Sequence, residues 1–502
     1  MKKEVFRMER VTFKEKGTTP LENFNLIIRE GEIMGLVPIN HIGLDALLRL
    51  LRQNLPLHYG YIYYQGNLVN HWRYSTMKYN RISLIQNESC LAGDLTVADN
   101  VFVLRNGFKK WLMRPKVLRQ QLEFFTDEIG VEISGDTYVD DLPPFERFVV
   151  ELLKAVVSGS RLIVLEDIGA FIGNRDLERL HEIFRYYSQK GISFLYIAGH
   201  MEDAWKICER VALMANGQII KYYYSDMMLP RRFHINESED YERHVLERTR
   251  RHKKNQDSFP VFELVNVNTK SIRNMNLALQ PGECVVLQAM DSAVFSDMVG
   301  MVSEETTPLS GSGYLDGERM TSAIDRRLGV IQEFPIQSML FSNMSYMDNL
   351  CITLDHRFPE VWSKQRVRKS IYEEYSPLLG ADCFYSNVNK LTEMQKYDLI
   401  YTRILLQNPR AVICIQPFKR AEVGLRLRIT EHLERFLDKG IGVLIVAVNL
   451  ADTLTFADRL ICVARGKEPV EYRREEFGTL PIDVPWRHLY REDEEEPETD
   501  EE

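Results

Sequence analysis

The sequence predicts an α/β protein made of two tandem copies of one domain, each built on a mainly parallel β-sheet. The first observation is an internal repeat at an offset of 251 residues: the Gly-Glu turn and apolar run at 31–37 return at 282–287, and the Tyr-Tyr-Gln-Gly at 63–66 returns as Tyr-Leu-Asp-Gly at 314–317. The second observation is that continuously apolar runs alternate with helical patterns, which is typical of strands covered by helices on both faces. A repeat this long indicates a duplicated domain rather than a solenoid of short units.

The predicted elements follow the same order in each half. Two strand-like runs come first, then the Gly-Glu turn, an apolar strand and a helical pattern. After a middle section of charged and aromatic helices, a helix leads into a buried strand, and a further helix and apolar strand complete the core. The predicted runs of the first half are 5–13, 24–28, 33–37, 44–51, 148–157, 162–165 and 192–198, and those of the second half are 259–267, 275–279, 284–287, 398–406, 411–415 and 442–448.

Composition places the boundaries of these two domains. We predict domains at 1–228 and 259–480, a charged linker at 229–258 and an acidic, disordered tail at 481–502. The linker offers i,i+4 charge pairs that favour a helical stretch. A basic surface that contacts membrane headgroups is the alternative interpretation of the same segment.

The charge and the cysteines exclude several classes of protein. The net charge is −9, but nine carboxylates lie in residues 492–502, and the remaining 63 acidic residues match the 63 Lys and Arg residues. No basic face is apparent, so no nucleic-acid partner is expected. The seven cysteines are scattered and never spaced as C-x-x-C, which predicts neither disulfides nor a zinc site. With no apolar run of about 18 residues and no apolar signal core, the protein is expected to be cytoplasmic.

Two pairs of segments carry a resemblance to a known family. Residues 84–88 (Leu-Ile-Gln-Asn-Glu) with 94–102 (Asp-Leu-Thr-Val-Ala-Asp-Asn-Val-Phe) have a counterpart in 331–333 (Ile-Gln-Glu) with 344–350 (Met-Ser-Tyr-Met-Asp-Asn-Leu). Here the chain resembles the duplicated ATP-binding subunits of bacterial ABC-type sugar importers, the ribose, galactose and xylose class, from Val5 to about Gly478.

The resemblance implies a fold and a partner. Each half would be an ABC-type P-loop nucleotide-binding domain, with a small antiparallel β part and a helical subdomain beside the main sheet. Gln86 and Gln332 would be the Q-loop glutamines, which sense nucleotide and couple to an integral-membrane permease. The protein would then lie at the inner face of the cell membrane, with its halves forming an intramolecular pseudo-dimer.

The phosphate loop of the first half departs from what ATP requires. Such a loop, G-x-x-x-x-G-K-[ST], wraps phosphates with backbone N–H groups, neutralises them with lysine and holds Mg²⁺ with a hydroxyl. After Asn40, only the second glycine, Gly43, remains; Leu44 stands at the lysine position and Asp45 at the hydroxyl position. At about 4 Å and an effective dielectric of about 20, a carboxylate facing a phosphate is repelled by roughly 4 kcal/mol.

The phosphate loop of the second half departs further. Residues 289–296 contain neither loop glycine, and Phe295, between Val294 and Ser296, replaces the lysine. This family often lacks the lysine in its second copy, so the loss in both copies is the informative observation.

The metal-binding and water-orienting carboxylates are also altered. The resemblance implies an Asp that binds the Mg²⁺ shell, followed by a Glu that orients the attacking water. The first half has Glu166 and Asp167, a swapped acidic pair that could still coordinate a metal weakly, and the second half has Ile415 and Gln416. No metal site is predicted.

The remaining nucleotide contacts agree with this reading. The signature loop, normally L-S-G-G-Q, has Pro143 and Phe145 in the first half and Thr392 and Met394 in the second. Prolines lack the N–H donor, and bulky side chains should obstruct close approach to a phosphate. The switch histidine aligns with Gly199 and Val448; His200 is one place off and is interpreted as a surface or strand-end histidine.

Three hypotheses follow. The favoured one is a degenerate ABC homologue, a pseudo-ATPase that needs no cofactor and acts as a structural or regulatory partner of a permease or another protein. The alternative is an active ATPase that energises sugar import with ATP and Mg²⁺, using Glu166, Asp167 and His200, with Arg49 or Arg52 in place of the lysine. A third is a cleft that binds another ligand, or two halves packed permanently shut, with apolar residues facing the cleft: Leu44, Phe145, Phe295 and Met394.

Overall fold

The computed structural model describes residues 3–15, 17–70, 82–86, 89–104, 115–199, 201–224, 259–322, 325–354, 361–380, 383–450 and 453–480. The chain divides into two compact units, Met1–His234 and Ile235–Glu502. The predicted linker and acidic tail lie outside the described residues, so the domain boundaries remain predictions. None of the helices in the described ranges combines the length and apolar character needed to cross a membrane.

Unit 1 contains an antiparallel sheet and a mainly parallel one. Its strands are β1 Glu4–Glu15, β2 Thr18–Arg29, β3 Ile33–Pro38, β4 Tyr59–Tyr64, β5 Asn67–Leu68, β6 Ile82–Ile85, β7 Leu162–Glu166, β8 Ser193–Ile197, β9 Arg210–Ala215 and β10 Gln218–Tyr224. Its helices are α1 Leu44–Arg52, α2 Val97–Phe102, α3 Pro115–Glu128, α4 Pro144–Val157, α5 Asn174–Gln189 and α6 Met201–Trp205. The small sheet has the order β2-β1-β4-β5, and the large sheet has the order β10-β9-β3-β8-β7-β6, parallel except for β10.

Unit 2 repeats this topology. Its strands are β11 Phe262–Asn268, β12 Met275–Leu279, β13 Cys284–Ala289, β14 Ser310–Leu315, β15 Glu318–Arg319, β16 Leu328–Ile331, β17 Ala411–Ile415, β18 Gly442–Ala447, β19 Arg459–Val463 and β20 Val470–Arg473. Its helices are α7 Ser292–Val302, α8 Pro335–Ser338, α9 Tyr346–Cys351, α10 Val361–Leu379, α11 Glu393–Gln407 and α12 Val423–Asp438. The sheets have the orders β12-β11-β14-β15 and β16-β17-β18-β13-β19-β20, the second of which is the order of unit 1 read from its other edge.

The repeated Gly-Glu turn has a structural cause, a buried ion pair in each unit. In unit 1, Arg210 Nε lies 2.6 Å from Glu32 Oε1, and both side chains are buried. In unit 2, Arg459 Nε lies 2.6 Å from Glu283 Oε1. Each arginine also donates to a carbonyl of the neighbouring antiparallel sheet, that of Ile27 in unit 1. The pair therefore joins the two sheets, and breaking it would leave a buried charge without its partner.

The repeated segment before α2 and α9 also has a structural cause. Thr96 and Ser345 are the N-caps of these helices, and each hydroxyl accepts the N–H three residues later. Asn100 is buried and exchanges two hydrogen bonds with the backbone of Ala92, and Asn349 does the same for its own loop. The shared sequence therefore encodes the same turn, held by a buried asparagine, in both units.

The predicted architecture is confirmed: each unit has a mainly parallel sheet, a small antiparallel sheet and a set of helices between β6 and β7 or between β16 and β17. The strands predicted at 33–37, 162–165 and 411–415 form as expected. The structure adds strands that the analysis of the sequence did not predict, among them the edge strands β6, β10, β16 and β20. These edge strands are short or carry polar residues, so their apolar signal is weak.

Candidate functional site

The candidate site of each unit lies at the carboxyl edge of the parallel sheet. Parallel strands end at the same edge, which is where open α/β sheets bind ligands. In unit 1, this edge brings together the segments that follow β3, β6, β7 and β8. In unit 2, the corresponding segments follow β13, β16, β17 and β18.

The fold of unit 1 requires a glycine at position 43. It precedes α1 with φ of 84°, a left-handed conformation that favours glycine. A Cβ at this position would lie 2.3 Å from the carbonyl oxygen of Pro20. The surviving glycine of the loop is therefore explained without any nucleotide.

Several backbone N–H groups of the unit 1 loop donate within the chain. The N–H of Ile39 donates to the Met214 carbonyl at 2.8 Å, and that of Leu44 donates to the His41 carbonyl at 3.1 Å. Asn40 Oδ1 accepts from the N–H groups of Ile42 and Asn216, at 3.3 and 3.1 Å. The loop N–H groups of Ile39, Ile42 and Leu44 are therefore already hydrogen-bonded within the protein, whereas a phosphate loop directs such groups at its ligand.

The two residues after Gly43, which stand at the lysine and hydroxyl positions of the loop, do not supply a cation. Leu44 is 6% exposed and packs in the hydrophobic core of unit 1, whereas the Asp45 side chain is exposed. Arg49, a poor candidate for the lysine's role because it is displaced by one turn, donates through both terminal nitrogens to the Glu15 carboxylate. Its guanidinium carbon lies 5.7 Å from the centre of the buried Phe13 ring. This arginine is therefore already engaged one turn into the helix.

The predicted acidic pair and Q-loop residue meet in unit 1. Glu166 ends β7, and its carboxylate accepts a hydrogen bond from Gln86 Nε2. Asp167 has φ of 47°, and its N–H donates to the Ile197 carbonyl at 2.8 Å. His200 lies outside the described residues. The contact of Gln86 with Glu166 uses the carboxylate that would otherwise face a metal.

The signature segment of unit 1 begins a helix without a side-chain cap. Pro143 is the N-cap of α4, and Pro144 is its first residue. Phe145 is buried, and the guanidinium carbon of Arg179 lies 4.1 Å from the centre of its ring. This segment therefore presents an arginine on an aromatic ring where the family presents a serine and two glycines.

Unit 2 lacks the loop. Strand β13 ends at Ala289 and α7 begins at Ser292, so only Met290 and Asp291 separate them, whereas five residues separate β3 from α1. Asp291 is the N-cap, and its Oδ2 accepts the N–H of Arg465 at 2.8 Å. A carboxylate therefore stands at the end of the helix that would otherwise favour an anion.

The three predicted loop positions of unit 2 lie within α7. Val294 is fully buried, Phe295 is half-buried against the core, and Ser296 is exposed. Gln288, at the end of β13, is also buried, and its side-chain amide donates to the Val448 carbonyl at 3.4 Å. The predicted switch position is thus a buried valine whose carbonyl is engaged.

The Q-loop region of unit 2 uses a different residue from the predicted one. Gln332 is exposed, and the neighbouring Glu333 reaches the end of β17, where its Oε1 accepts from Gln416 Nε2 at 2.8 Å. Lys419 Nζ lies 2.5 Å from the same oxygen. Reasoning from the sequence did not single out Glu333 or Lys419; their opposite charges near two adjacent strand ends were the available signal.

The signature segment of unit 2 forms a capping box. Thr392 Oγ1 accepts the Gln395 N–H at 3.3 Å, and Gln395 Oε1 accepts the Thr392 N–H at 3.0 Å. Met394 is 41% exposed. The hydroxyl and N–H that could contact a nucleotide are therefore engaged locally. Across the described ranges, no group of three or more His, Cys, Asp or Glu side chains is arranged to hold a metal ion.

Comparison with known proteins shows which proteins this chain is similar to. The chain is 22% identical to the ribose import ATP-binding protein RbsA of Caldanaerobacter subterraneus subsp. tengcongensis, over 94% of this chain and 97% of the relative. It is 21% identical to the xylose import ATP-binding protein XylG of Geobacillus kaustophilus, over 95% of this chain and 97% of the relative. The chain is a homologue of the duplicated ATP-binding subunits of ABC-type sugar importers.

Solved structures match about half of this importer-subunit homologue. The structure of cbiO1 from Clostridium perfringens, part of the ABC transporter complex cbiONQ, covers 49% of this chain and 99% of its own, with 16% identity and a TM-score of 0.42. No protein-family model matches the importer-subunit homologue.

Proposed function

We propose that this ABC ATP-binding-subunit homologue does not hydrolyse ATP and acts as a structural or regulatory partner of a membrane permease or another protein. The observation that carries the proposal is the pair of phosphate loops. In unit 1, the lysine position is a core leucine. In unit 2, the strand leads into the helix after two residues. Positioning and charge neutralisation provide most of the catalysis of phosphoryl transfer, and both depend on this loop.

The carboxylates support the same proposal. An ATPase needs a carboxylate that is available to Mg²⁺ and another that orients water. In unit 1, Glu166 is hydrogen-bonded to Gln86. In unit 2, the position that corresponds to Glu166 is Ile415, and the next residue, Gln416, is an amide hydrogen-bonded to Glu333. The proposal therefore assigns the retained fold to binding rather than to hydrolysis.

The partner is proposed by analogy with the relatives. Proteins named as import ATP-binding subunits work with a permease, and we propose a peripheral location on the cytoplasmic face of the membrane for this chain too. A second candidate, an active ATPase, would require Glu166 to be released from Gln86 before its carboxylate could bind a metal.

A thermal-shift titration with Mg-ATP tests the proposal. A ligand at 100 times its Kd stabilises a protein by about 2.7 kcal/mol, which for a unit of this size raises Tm by roughly 5–10 °C. We expect no shift in the natural chain. A repaired variant, Leu44→Lys with Asp45→Ser, supplies the missing cation and hydroxyl and should gain a shift if the remaining loop can still accept phosphate.

The matched control is Leu44→Met with Asp45→Ser. This variant has the hydroxyl and an uncharged side chain of similar length, so it separates the effect of the cation from that of repacking the core. An Mg-ATP shift in the natural chain would show that nucleotide binds, and phosphate release from ATP by the natural chain would then refute the proposal and favour the active ATPase.

A further inference from the structure

Unit 2 holds a buried lysine at the carboxyl edge of its sheet. The side chain of Lys419 is 2% exposed, and its Nζ lies 2.5 Å from Glu333 Oε1 and 5.1 Å from the centre of the Phe334 ring. Lysine is almost never fully buried unless it is paired. Here it is enclosed by an opposite charge and an aromatic face, and both belong to the segment that follows β16.

The fold brings these groups together from two strands. Ile331 is paired with Cys414 in parallel register, so Glu333 and Gln416 follow adjacent strand ends. Gln416 has φ of 45°, and its carbonyl accepts the Lys419 N–H at 3.0 Å, which closes a tight turn. One carboxylate oxygen, Glu333 Oε1, then accepts from both Gln416 and Lys419.

The far end of the same segment is also held. The buried Arg403 donates through Nη2 to the Met339 carbonyl at 2.7 Å. In unit 1, Lys154 makes the equivalent contact to the Cys90 carbonyl at 3.3 Å. The contact that holds the far end of the segment, at Met339, is therefore common to both units. The contact at its near end, between Glu333 and Lys419, involves a lysine that has no counterpart in unit 1.

Among the described residues of unit 1, a hydrogen bond between a neutral and a charged side chain lies at the corresponding place. Gln86 donates to Glu166, and the residue three places after Asp167 is Ala170, so unit 1 has no lysine where unit 2 has Lys419. A buried ion pair resists separation more than one hydrogen bond does, because opening it leaves charges without a partner in a poorly solvated place.

We propose that Lys419 is a positioning residue that locks residues 332–341 of unit 2 against the end of β17 in one arrangement without any nucleotide. The inference rests on the proposed function, because a lock of this kind takes the place of the nucleotide that this segment would otherwise sense. Unit 2 would then present a fixed surface at this edge of its sheet.

Hydrogen exchange of the full-length protein tests the lock. Lys419→Met should speed exchange in residues 332–341 by about tenfold or more, because local opening free energy controls exchange, while β17 and β18 keep their protection. Lys439→Met, at an exposed lysine at the end of α12, is the matched control and should change nothing.

Two further variants keep the test decisive if Lys419→Met folds poorly. Glu333→Gln replaces the carboxylate with a neutral amide of similar shape, so it should loosen the same residues, whereas Lys419→Arg retains the charge and should keep most of the protection. Unchanged exchange in Lys419→Met and Glu333→Gln, or an equal loss of protection throughout unit 2, would overturn the proposal.

Failure of the proposed function is read separately in the same experiment. Protection of unit 1 residues by Mg-ATP in the natural chain would refute the absence of nucleotide binding but would leave the effect of Lys419→Met in unit 2 to be judged by itself. The first outcome is measured in unit 1 after Mg-ATP is added, and the second is measured in unit 2 after Lys419 is substituted.

Discussion

Units 1 and 2 share their scaffold and differ at the edge of the sheet where nucleotide chemistry would occur. Both have the same strand order, the same buried Glu-Arg pair and the same capped turn. In unit 1, a five-residue loop that contains Gly43 joins the strand to the helix, and an acidic pair follows β7. In unit 2, Asp291 is the N-cap of a helix that two residues separate from the strand, and Lys419 is buried at the edge of the sheet. The comparison teaches that both copies share the contacts that support the fold, while the residues at the carboxyl edge of the sheet differ from one copy to the other.

The substitutions with the largest expected effect remove the arginine of the shared ion pair, and they test whether this pair stabilises both units equally. Arg210→Met should destabilise unit 1 by about 3–5 kcal/mol, because it leaves the buried Glu32 without its partner. Arg459→Met should cost less in unit 2, because Arg459 is 19% exposed against 8% for Arg210. Native-state hydrogen exchange of β3 and β13 measures each unit separately. Equal losses in the two units would contradict this difference.

Acid should distinguish the units through their buried histidines. Burial lowers the pKa of His181 in unit 1 to about 4. Because this folded pKa is below the ordinary value of about 6.5, the unfolded chain binds more protons, and the stability of unit 1 falls as the pH drops from about 6.5 to 4, by on the order of 3 kcal/mol.

The buried histidine of unit 2 has a partner. His432 Nε2 lies 2.7 Å from Asp398 Oδ1; burial lowers the pKa of His432, and the carboxylate opposes that shift. We therefore expect a smaller loss from His432 in unit 2 over the same pH range. Hydrogen exchange at pH 7 and pH 5, with His181→Phe as the variant that removes the titration, checks this. An unchanged acid response in His181→Phe would show that another group dominates.

The smallest expected effect concerns the starts of α4 and α11. Thr392→Ala removes a capping box and should destabilise unit 2 by about 1 kcal/mol. Pro143→Ser in unit 1 adds a cap where none exists and should stabilise it by a few tenths of that amount. Thermal unfolding of the two variants measures both signs, and a destabilised Pro143→Ser would show that the proline's restricted backbone matters more than the missing cap.

The sequence was sufficient for the scaffold because the scaffold depends on local and repeated signals. The Gly-Glu turn and the apolar strands recur at a fixed offset, and the buried pairs explain why. The edge of the sheet was less accessible, since a helix that starts three residues early shifts every position in the second loop without changing any strand. Gln332 was predicted from the resemblance, yet Glu333 makes the contact, because the direction of a side chain after a strand depends on the turn that follows.

The most direct test of the central claim is equilibrium dialysis of the natural protein against labelled ATP with Mg²⁺ at about 1 mM, a concentration at which any binder with a micromolar Kd is nearly saturated. The account predicts no bound nucleotide in either unit. Saturable binding of ATP to the natural protein would contradict it and make the active-ATPase interpretation the better one.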